Sequence, residues 1–259
     1  MNAGPKGTDL LLRGQQGAVV KLTLNDPVRA NALSMGMIAQ LRGAIADVAA
    51  DASAAVVVVA AAGRVFCAGH DLAELRATED AAEHRRIFRQ CSDLMRAIVD
   101  CPKPVIASVA GAAVAAGCQL VASCDLAYAD ERSRFAVSGI DLGLFCSTPA
   151  VALSRVVGRK SALEMLLTGR FVSAAEAAAI GLINRAVPPE ELEAVVDAIA
   201  ATIAAKPQDA VALGKSMFNR QLGCDLEGAY ALAGAGMAEN MGFGSARSGI
   251  DAFLAKRAQ

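Results

Sequence analysis

Two glycine-containing segments, each placed after a run of apolar residues, constrain the fold of this chain more than any other feature. The first, residues 66–72, reads Phe-Cys-Ala-Gly-His-Asp-Leu and follows the apolar run at residues 56–60. The second, residues 111–120, reads Gly-Ala-Ala-Val-Ala-Ala-Gly-Cys-Gln-Leu and follows another apolar run at residues 104–109. Small residues let a backbone approach a ligand closely. The pattern predicts two buried strands that each end in such a turn, the second leading into a helix.

Strand-like and helix-like patterns alternate along the first half of the chain. Residues 19–24 read as a strand, and Ser34 is placed to cap the helix that follows. The alternation continues through residues 56–60, a long helix, residues 105–109 and a short helix that ends near Cys124. Apolar residues fall at helical spacing in the first helix (Met37, Ile38, Leu41, Ile45, Val48) and in the long one (Ile87, Cys91, Leu94, Met95, Ile98). Such alternation predicts an α/β core.

From Thr148 onward the signals are almost wholly helical. Ser161 and Ser173 are expected N-caps, and prolines at positions 188, 189 and 207 mark breaks before further helices. The change predicts a helical C-terminal region that begins after about residue 190.

Composition excludes several classes of protein. With 259 residues, 54% of them hydrophobic, the chain can bury a large core. A net charge of −1, without a basic stripe interleaved with aromatic residues, predicts no nucleic-acid binding. No apolar run approaches the roughly 20 residues that span a bilayer, and residues 1–12 lack a signal-peptide pattern, so a soluble, cytoplasmic protein is expected. Seven cysteines in apolar segments indicate reduced thiols, and two histidines without a CxxC predict no metal site.

Ordered motifs over nearly the whole length resemble the crotonase superfamily, the enoyl-CoA hydratase/isomerase family. Besides the two glycine-containing segments, they are residues 25–27, 31–33, 124–129, 167–170, 174–177, 181–183 and 249–257. Residues 115–125 and 143–149 resemble the branch named enoyl-CoA hydratase domain-containing protein 3. The resemblance implies an α/β spiral of ββα units (ClpP/crotonase-like) over residues 1–190. It also implies a helical oligomerisation region over residues 191–259, which would form a homotrimer or hexamer.

The resemblance implies that the two glycine-containing segments form an oxyanion hole for an acyl-CoA thioester. The donors would be the backbone N–H groups of His70 and Ala116, which stabilise the charge of an enolate on the thioester oxygen. Without the resemblance, both segments indicate only tight strand-to-helix turns. The resemblance assigns a role to the His70 amide alone, so its imidazole is expected to be structural or solvated.

Two positions depart from the family pattern. Hydratases of this family carry two glutamates, and the matching positions here are Gln119 and Gly139, neither of which can transfer a proton. Glutamine can hold a water molecule through its amide, whereas glycine offers only backbone. Losing a positioned acid or base typically slows a reaction by about 10² to 10⁴. The sequence therefore predicts inefficient hydration, and the alternative is a non-catalytic acyl-CoA-binding protein on the same fold.

Other polar groups near the missing second carboxylate have structural interpretations. The candidates are Ser138, Asp141, Cys146, Ser147 and Thr148. Asp141 is expected to cap a turn, although an extended segment would place it on the face of Gly139. Ser147 and Thr148 are expected to begin a helix, and Cys118 and Cys146 to be buried thiols rather than nucleophiles.

The resemblance also implies positions that contact coenzyme A. The backbone around Arg29, Ala30 and Asn31 would meet the adenine side, and residues 68–72, including Ala68, Asp71 and Leu72, would flank the pantetheine. Phe253 and Lys256 would close over the nucleotide, often in a neighbouring subunit, where a lysine suits a phosphate. Taken alone, these two residues indicate only an amphipathic terminal helix. No cofactor is implied beyond the coenzyme A of the substrate, and no GxGxxG motif supports a dinucleotide enzyme.

Overall fold

The computed structural model describes residues 9–257, which form ten strands, eleven α-helices and two short 3₁₀ helices. The strands are β1 (Leu11–Gln16), β2 (Val19–Leu24), β3 (Val56–Ala61), β4 (Val65–Cys67), β5 (Val105–Val109), β6 (Ala112–Val114), β7 (Leu126–Asp130), β8 (Arg134–Ala136), β9 (Val172–Ser173) and β10 (Arg185–Val187). The helices of the first half are α1 (Met35–Ala50), α2 (Leu72–Arg76), α3 (Ala81–Asp100), α4 (Ala116–Ser123) and α5 (Ser147–Val156). They are followed by α6 (Arg159–Thr168), α7 (Ala174–Ala179), α8 (Leu192–Ala204), α9 (Gln208–Gln221), α10 (Leu226–Met241) and α11 (Gly244–Arg257).

The strands form two sheets that the chain visits in turn. The larger sheet has the order β1-β2-β3-β5-β7-β10, and the smaller has the order β4-β6-β8-β9. Within the larger sheet β1 and β2 form an antiparallel hairpin, and the other pairs are parallel. The consecutive pairs β3/β4, β5/β6 and β7/β8 each place one strand in each sheet before the chain continues into helices. This confirms the predicted α/β spiral of ββα units.

The larger sheet is buried on both faces. Val57 and Val59 belong to the main apolar cluster with α1, α3 and α4, whereas Val56 and Val58 face a second cluster to which α8 contributes. This alternation follows from the two-residue repeat of a strand. Because α8 packs on the sheet, the first helix of the expected C-terminal region is part of the core. A domain boundary at residue 190 stays a prediction.

Most local predictions are confirmed. The apolar faces expected for α1 and α3 are buried, and the hydroxyls of Ser34 and Ser173 cap α1 and α7. The expected cap at Ser161 is wrong, because extended backbone at Gly158 starts α6 at Arg159 and leaves Ser161 inside the helix.

The segment after β8 also differs from one expectation. Residues Ser138–Leu142 form a 3₁₀ turn rather than extended chain. Asp141 therefore does not share a strand face with Gly139. Within residues 9–257, no helix is both long and apolar enough to cross a membrane.

Candidate active site

The two glycine-containing segments meet at the edge of the smaller sheet. Parallel pairing of β4 with β6 aligns Cys67 with Ala113, so both strands end side by side. Beyond β4, Gly69 has a φ of 94°, and a Cβ placed on it would lie 3.2 Å from the backbone nitrogen of Ala116. The turn that carries His70 therefore lies against the first residue of α4.

A second glycine brings α4 close to β4. A Cβ on Gly117 would lie 2.2 Å from the carbonyl oxygen of Cys67, closer than any side-chain carbon can approach. Only glycine lets the first turn of α4 pack directly on the end of β4. The small residues predicted from the sequence thus place the two turns in contact.

Neither proposed donor is hydrogen-bonded to an acceptor within residues 9–257. Among the described residues, no hydrogen bond runs from the backbone N–H of His70 or of Ala116. The N–H of Ala116 also lies at the positive end of the α4 dipole. Together the two groups can bind an oxygen that carries negative charge.

Backbone strain precedes the second donor. Ala115 has φ 50° and ψ −116°, and it caps α4 without a side-chain hydrogen bond. Its N–H donates to the Ala136 carbonyl at 2.8 Å, and its carbonyl accepts from Gln119 N at 3.0 Å. A non-glycine residue at such φ typically costs about 1–3 kcal/mol and is found where neighbours hold it in place. These two hydrogen bonds fix the direction of the adjoining Ala116 N–H.

Two uncharged side chains accompany the donors, the partly buried His70 and the buried Gln119. The His70 ring meets Phe88 edge-on at 5.2 Å between centroids. Burial lowers the pKa of His70, which favours the neutral imidazole. Gln119 is 4% exposed and lies one turn after Ala116 in α4. Within the described residues, His70 Nε2 and Gln119 Oε1 are buried without hydrogen-bond partners.

The loop around Gly139 leaves no room for a second carboxylate. A Cβ on Gly139 would lie 2.6 Å from the Leu144 carbonyl oxygen and 2.7 Å from Cys146 Sγ. The N–H of Gly139 donates to that sulfur, which favours the thiolate, but burial has the larger effect and raises the pKa of Cys146. Burial also raises the pKa of Cys118 to about 12. Both cysteines are therefore thiols at neutral pH.

The residues expected near coenzyme A fall into two places. Arg29 pairs with Asp26 at 2.7 Å and with Asp71 at 3.2 Å, which joins residues 26–31 to the start of α2. Ala68 and Leu72 are exposed beside them. Phe253 and Lys256 are exposed on α11, which packs on α9 and α10. Their contact with a nucleotide stays a prediction.

Sequence reasoning missed the internal role of Asn31. Its side chain is fully buried and bonds to the carbonyls of Ala62 and Val65, more than thirty residues away. Nothing in the local pattern indicates such long-range partners. Its φ of 52° is one that asparagine tolerates better than most residues, which is the one available signal.

The sequence matches the family described as enoyl-CoA hydratase/isomerase over residues 14–259. The chain belongs to this family. It is 46% identical over 260 residues to mouse enoyl-CoA hydratase domain-containing protein 3, mitochondrial, a match that covers 99% of this chain and 87% of the relative. The zebrafish protein of the same name is 46% identical over 257 residues, which cover 99% and 89% of the two chains.

Solved structures agree with this assignment. An enoyl-CoA hydratase from Mycobacterium smegmatis superposes with a TM-score of 0.94 at 54% identity, covering 96% of this chain and 97% of that one. Human enoyl-CoA hydratase domain-containing protein 3 gives a TM-score of 0.92 at 44% identity, covering 95% and 98%. The predicted resemblance and fold are thereby confirmed. The mouse and zebrafish relatives are named mitochondrial, so the expected cytoplasmic location of this hydratase/isomerase family member stays a prediction.

Proposed function

We propose that this family member binds an acyl-CoA thioester with its carbonyl oxygen between the N–H groups of His70 and Ala116. As the thioester becomes an enolate, negative charge grows on that oxygen, and two fixed donors stabilise it without rearranging. Removing one such donor typically costs about 10² to 10³ in kcat. The observation that carries the proposal is the contact between the two turns, where a Cβ placed on Gly69 would lie 3.2 Å from Ala116 N. Within residues 9–257, neither N–H group has a hydrogen-bond acceptor.

Proton transfer would not follow the two-glutamate route. The Gln119 amide can hold water or a substrate group by hydrogen bonds, but it has no usable pKa. Gly139 has no side chain, and the Cys146 thiol occupies the adjoining space. Water or the substrate itself would therefore supply the protons, and efficient hydration of a 2-enoyl-CoA is not expected.

The proposed ligand contacts follow the family pattern. Residues 29–31 and 68–72 would hold coenzyme A, which enters as part of the substrate and not as a separate cofactor. Phe253 and Lys256 would cover the nucleotide from α11 of a neighbouring subunit in a trimer or hexamer. Exposed apolar side chains on the C-terminal helices support assembly; they are Phe218, Leu226, Tyr230, Met237, Met241, Ile250 and Leu254.

A non-catalytic acyl-CoA-binding protein is the second candidate function. The observation that favours it is the loss of both carboxylates, one replaced by Gln119 and the other excluded by the loop at Gly139. The oxyanion hole serves both functions, because it would hold a thioester carbonyl whether or not chemistry follows.

The test is mass-spectrometric turnover of a panel of 2-enoyl-CoA and 3-enoyl-CoA thioesters, with calorimetric binding measured on the same protein. The key variant is Ala116→Pro, which removes one donor N–H. Ala81→Pro, at the first position of α3, is the matched control, since proline is tolerated there. Turnover in the wild type and control, lost in Ala116→Pro, supports the enzyme. Binding without turnover supports the second candidate, and no binding of any thioester overturns both.

A further inference from the structure

The Asn31 side chain makes three hydrogen bonds inside the protein, all with backbone groups. Its Oδ1 accepts from Asp26 N at 2.8 Å, and its Nδ2 donates to the carbonyls of Ala62 and Val65 at 2.8 and 2.7 Å. The residue is 0% exposed. An amide is the side-chain group that matches one donor and two acceptors in this arrangement. Asn31 thus ties residues 26–33 to the segment that ends β3 and begins β4.

The same loop also holds the far end of that segment. Ala68 N donates to the Ala30 carbonyl at 3.0 Å, and Leu33 N donates to the Gly69 carbonyl at 2.7 Å. Residues 62–70 are therefore fastened to residues 26–33 at both ends, with Asn31 at one end and Leu33 at the other.

The bond from Leu33 fixes the direction of a catalytically important group. The Gly69 carbonyl and the His70 N–H belong to one planar trans peptide unit, so they point in opposite directions. Holding the carbonyl toward Leu33 therefore aims the His70 N–H away from it. A shift of the 31–33 backbone would rotate this peptide and misdirect the donor.

We propose that Asn31 is a positioning residue that sets the aim of the His70 N–H through the Leu33–Gly69 hydrogen bond. The inference rests on the proposed oxyanion hole and extends it, because it assigns to Asn31 an internal role in place of a ligand contact by its side chain. Small misalignments of such donors reduce their effect on charge, since the benefit depends on fixed geometry.

The test is isotope-edited infrared spectroscopy of butyryl-CoA, labelled at the thioester carbonyl and bound to the full chain. Hydrogen bonds from both donors should lower the carbonyl stretching frequency in the wild type. Asn31→Asp places a carboxylate oxygen against two carbonyl oxygens, and Asn31→Ser has a side chain too short to reach them. In both variants the shift of the carbonyl frequency should be at most half of the wild-type shift. The affinity for butyryl-CoA should change far less, because most of the ligand's contacts lie elsewhere.

A control separates positioning from general destabilisation. Asn184 also bonds backbone through its side chain, accepting from Ala127 N at 2.8 Å, but at the β7/β10 side of the larger sheet. Asn184→Ala should keep the wild-type carbonyl frequency even where its free energy of unfolding falls as much. A second measurement does not depend on the Asn31 variants folding. Replacing Leu33 with its α-hydroxy acid removes only the N–H and should likewise weaken the carbonyl shift.

The results distinguish a failure of the positioning role from a failure of the oxyanion hole. A full carbonyl shift in folded Asn31 variants, or in the Leu33 ester if those variants do not fold, overturns the positioning role while leaving the oxyanion hole intact. A wild-type protein that binds butyryl-CoA without any carbonyl shift overturns the proposed oxyanion hole and the positioning role with it.

Discussion

Cys146 fills the space that a side chain at Gly139 would need, since a Cβ on the glycine would lie 2.7 Å from the cysteine sulfur. The Leu144 carbonyl oxygen, at 2.6 Å from the same point, closes the space from the other side. The surrounding loop therefore leaves no room at position 139 for the second carboxylate that the family resemblance predicts there.

Gly139→Glu should consequently destabilise the fold without restoring hydration. Overpacking a filled site typically costs about 1–3 kcal/mol, and Gly139→Ala alone should show a loss in this range. Gly43→Ala is the control, because a Cβ at that exposed helical position meets nothing within 4 Å and should stabilise by about 0.5–1 kcal/mol. Urea unfolding measures both. Wild-type stability in Gly139→Glu would contradict the steric account.

Gly69→Ala should disturb the oxyanion hole itself. The methyl group would crowd the Val114 carbonyl oxygen at 3.0 Å and Ala116 N at 3.2 Å. The positive φ of this position is also unfavourable for alanine. Gly17→Ala also places alanine at a positive φ, 56°, but its methyl group meets nothing within 4 Å. Thioester binding or turnover should fall in the first variant alone. Equal effects of the two substitutions would mean that crowding at Ala116 is unimportant.

The sequence was informative where a signal is local. Apolar runs predicted β2, β3 and β5, and helical spacing predicted the buried faces of α1 and α3, because both periods arise from neighbouring residues. The short strands β4, β6, β8 and β9 could not be found this way. They span only two or three residues, fewer than the roughly five or six of a typical strand, and their stability comes from pairing with distant segments.

The same distinction holds within the candidate site. Glycines and small residues after the strands marked both turns, and the replacement of two glutamates by Gln119 and Gly139 stays a prediction from the family resemblance. The bonds of Asn31, the strain at Ala115 and the contact of Cys146 with Gly139 depend on how remote segments meet. Such contacts are fixed by tertiary packing, which a single sequence does not display.

His70 should make stability depend on pH. Burial lowers the pKa of the folded imidazole below its ordinary value of 6.5, so the unfolded chain takes up a proton first as the pH falls. The contribution of the neutral ring to the free energy of unfolding is complete above the pKa of the unfolded chain. It is lost as the pH falls through 6.5 toward the lower pKa of the folded protein. His70→Gln should flatten this part of the profile, measured by urea unfolding between neutral and mildly acidic pH. Identical slopes in both proteins would contradict it.

Lys215 should anchor the C-terminal helices to the core. Its side chain is 8% exposed, and Nζ lies 2.6 Å from Asp125 Oδ2 and 3.0 Å from the Ile98 carbonyl. Burial raises the pKa of Asp125 against the opposing effect of Lys215. A charged Asp125 without Lys215 would therefore destabilise the folded protein. Lys215→Met should lower the free energy of unfolding by about 3 kcal/mol.

The control for this pair is Lys21→Met. Lys21 pairs with Glu193 at 2.7 Å, but the two side chains are 44% and 74% exposed, so its loss should cost under about 1 kcal/mol. Adding Asp125→Asn to Lys215→Met should recover part of the loss, because it removes the buried charge. Equal losses in the free energy of unfolding for the Lys215 and Lys21 variants would show that burial does not strengthen the Lys215–Asp125 ion pair.

Gln119→Glu tests whether position 119 faces the reacting carbons. The substitution keeps the shape of the side chain and adds a group that can accept and return a proton, on the helix whose N-terminus carries the Ala116 donor. Hydration of a short 2-enoyl-CoA should rise by about 10²-fold, the lower end of what a positioned acid or base contributes, since position 139 still lacks its carboxylate. Gln119→Met, similar in size but without acid–base capacity, should not gain activity. Quenched hydration assays read by mass spectrometry compare the wild type with the Glu and Met variants. A folded Gln119→Glu protein that binds the thioester yet shows no gain would place residue 119 outside reach of the substrate.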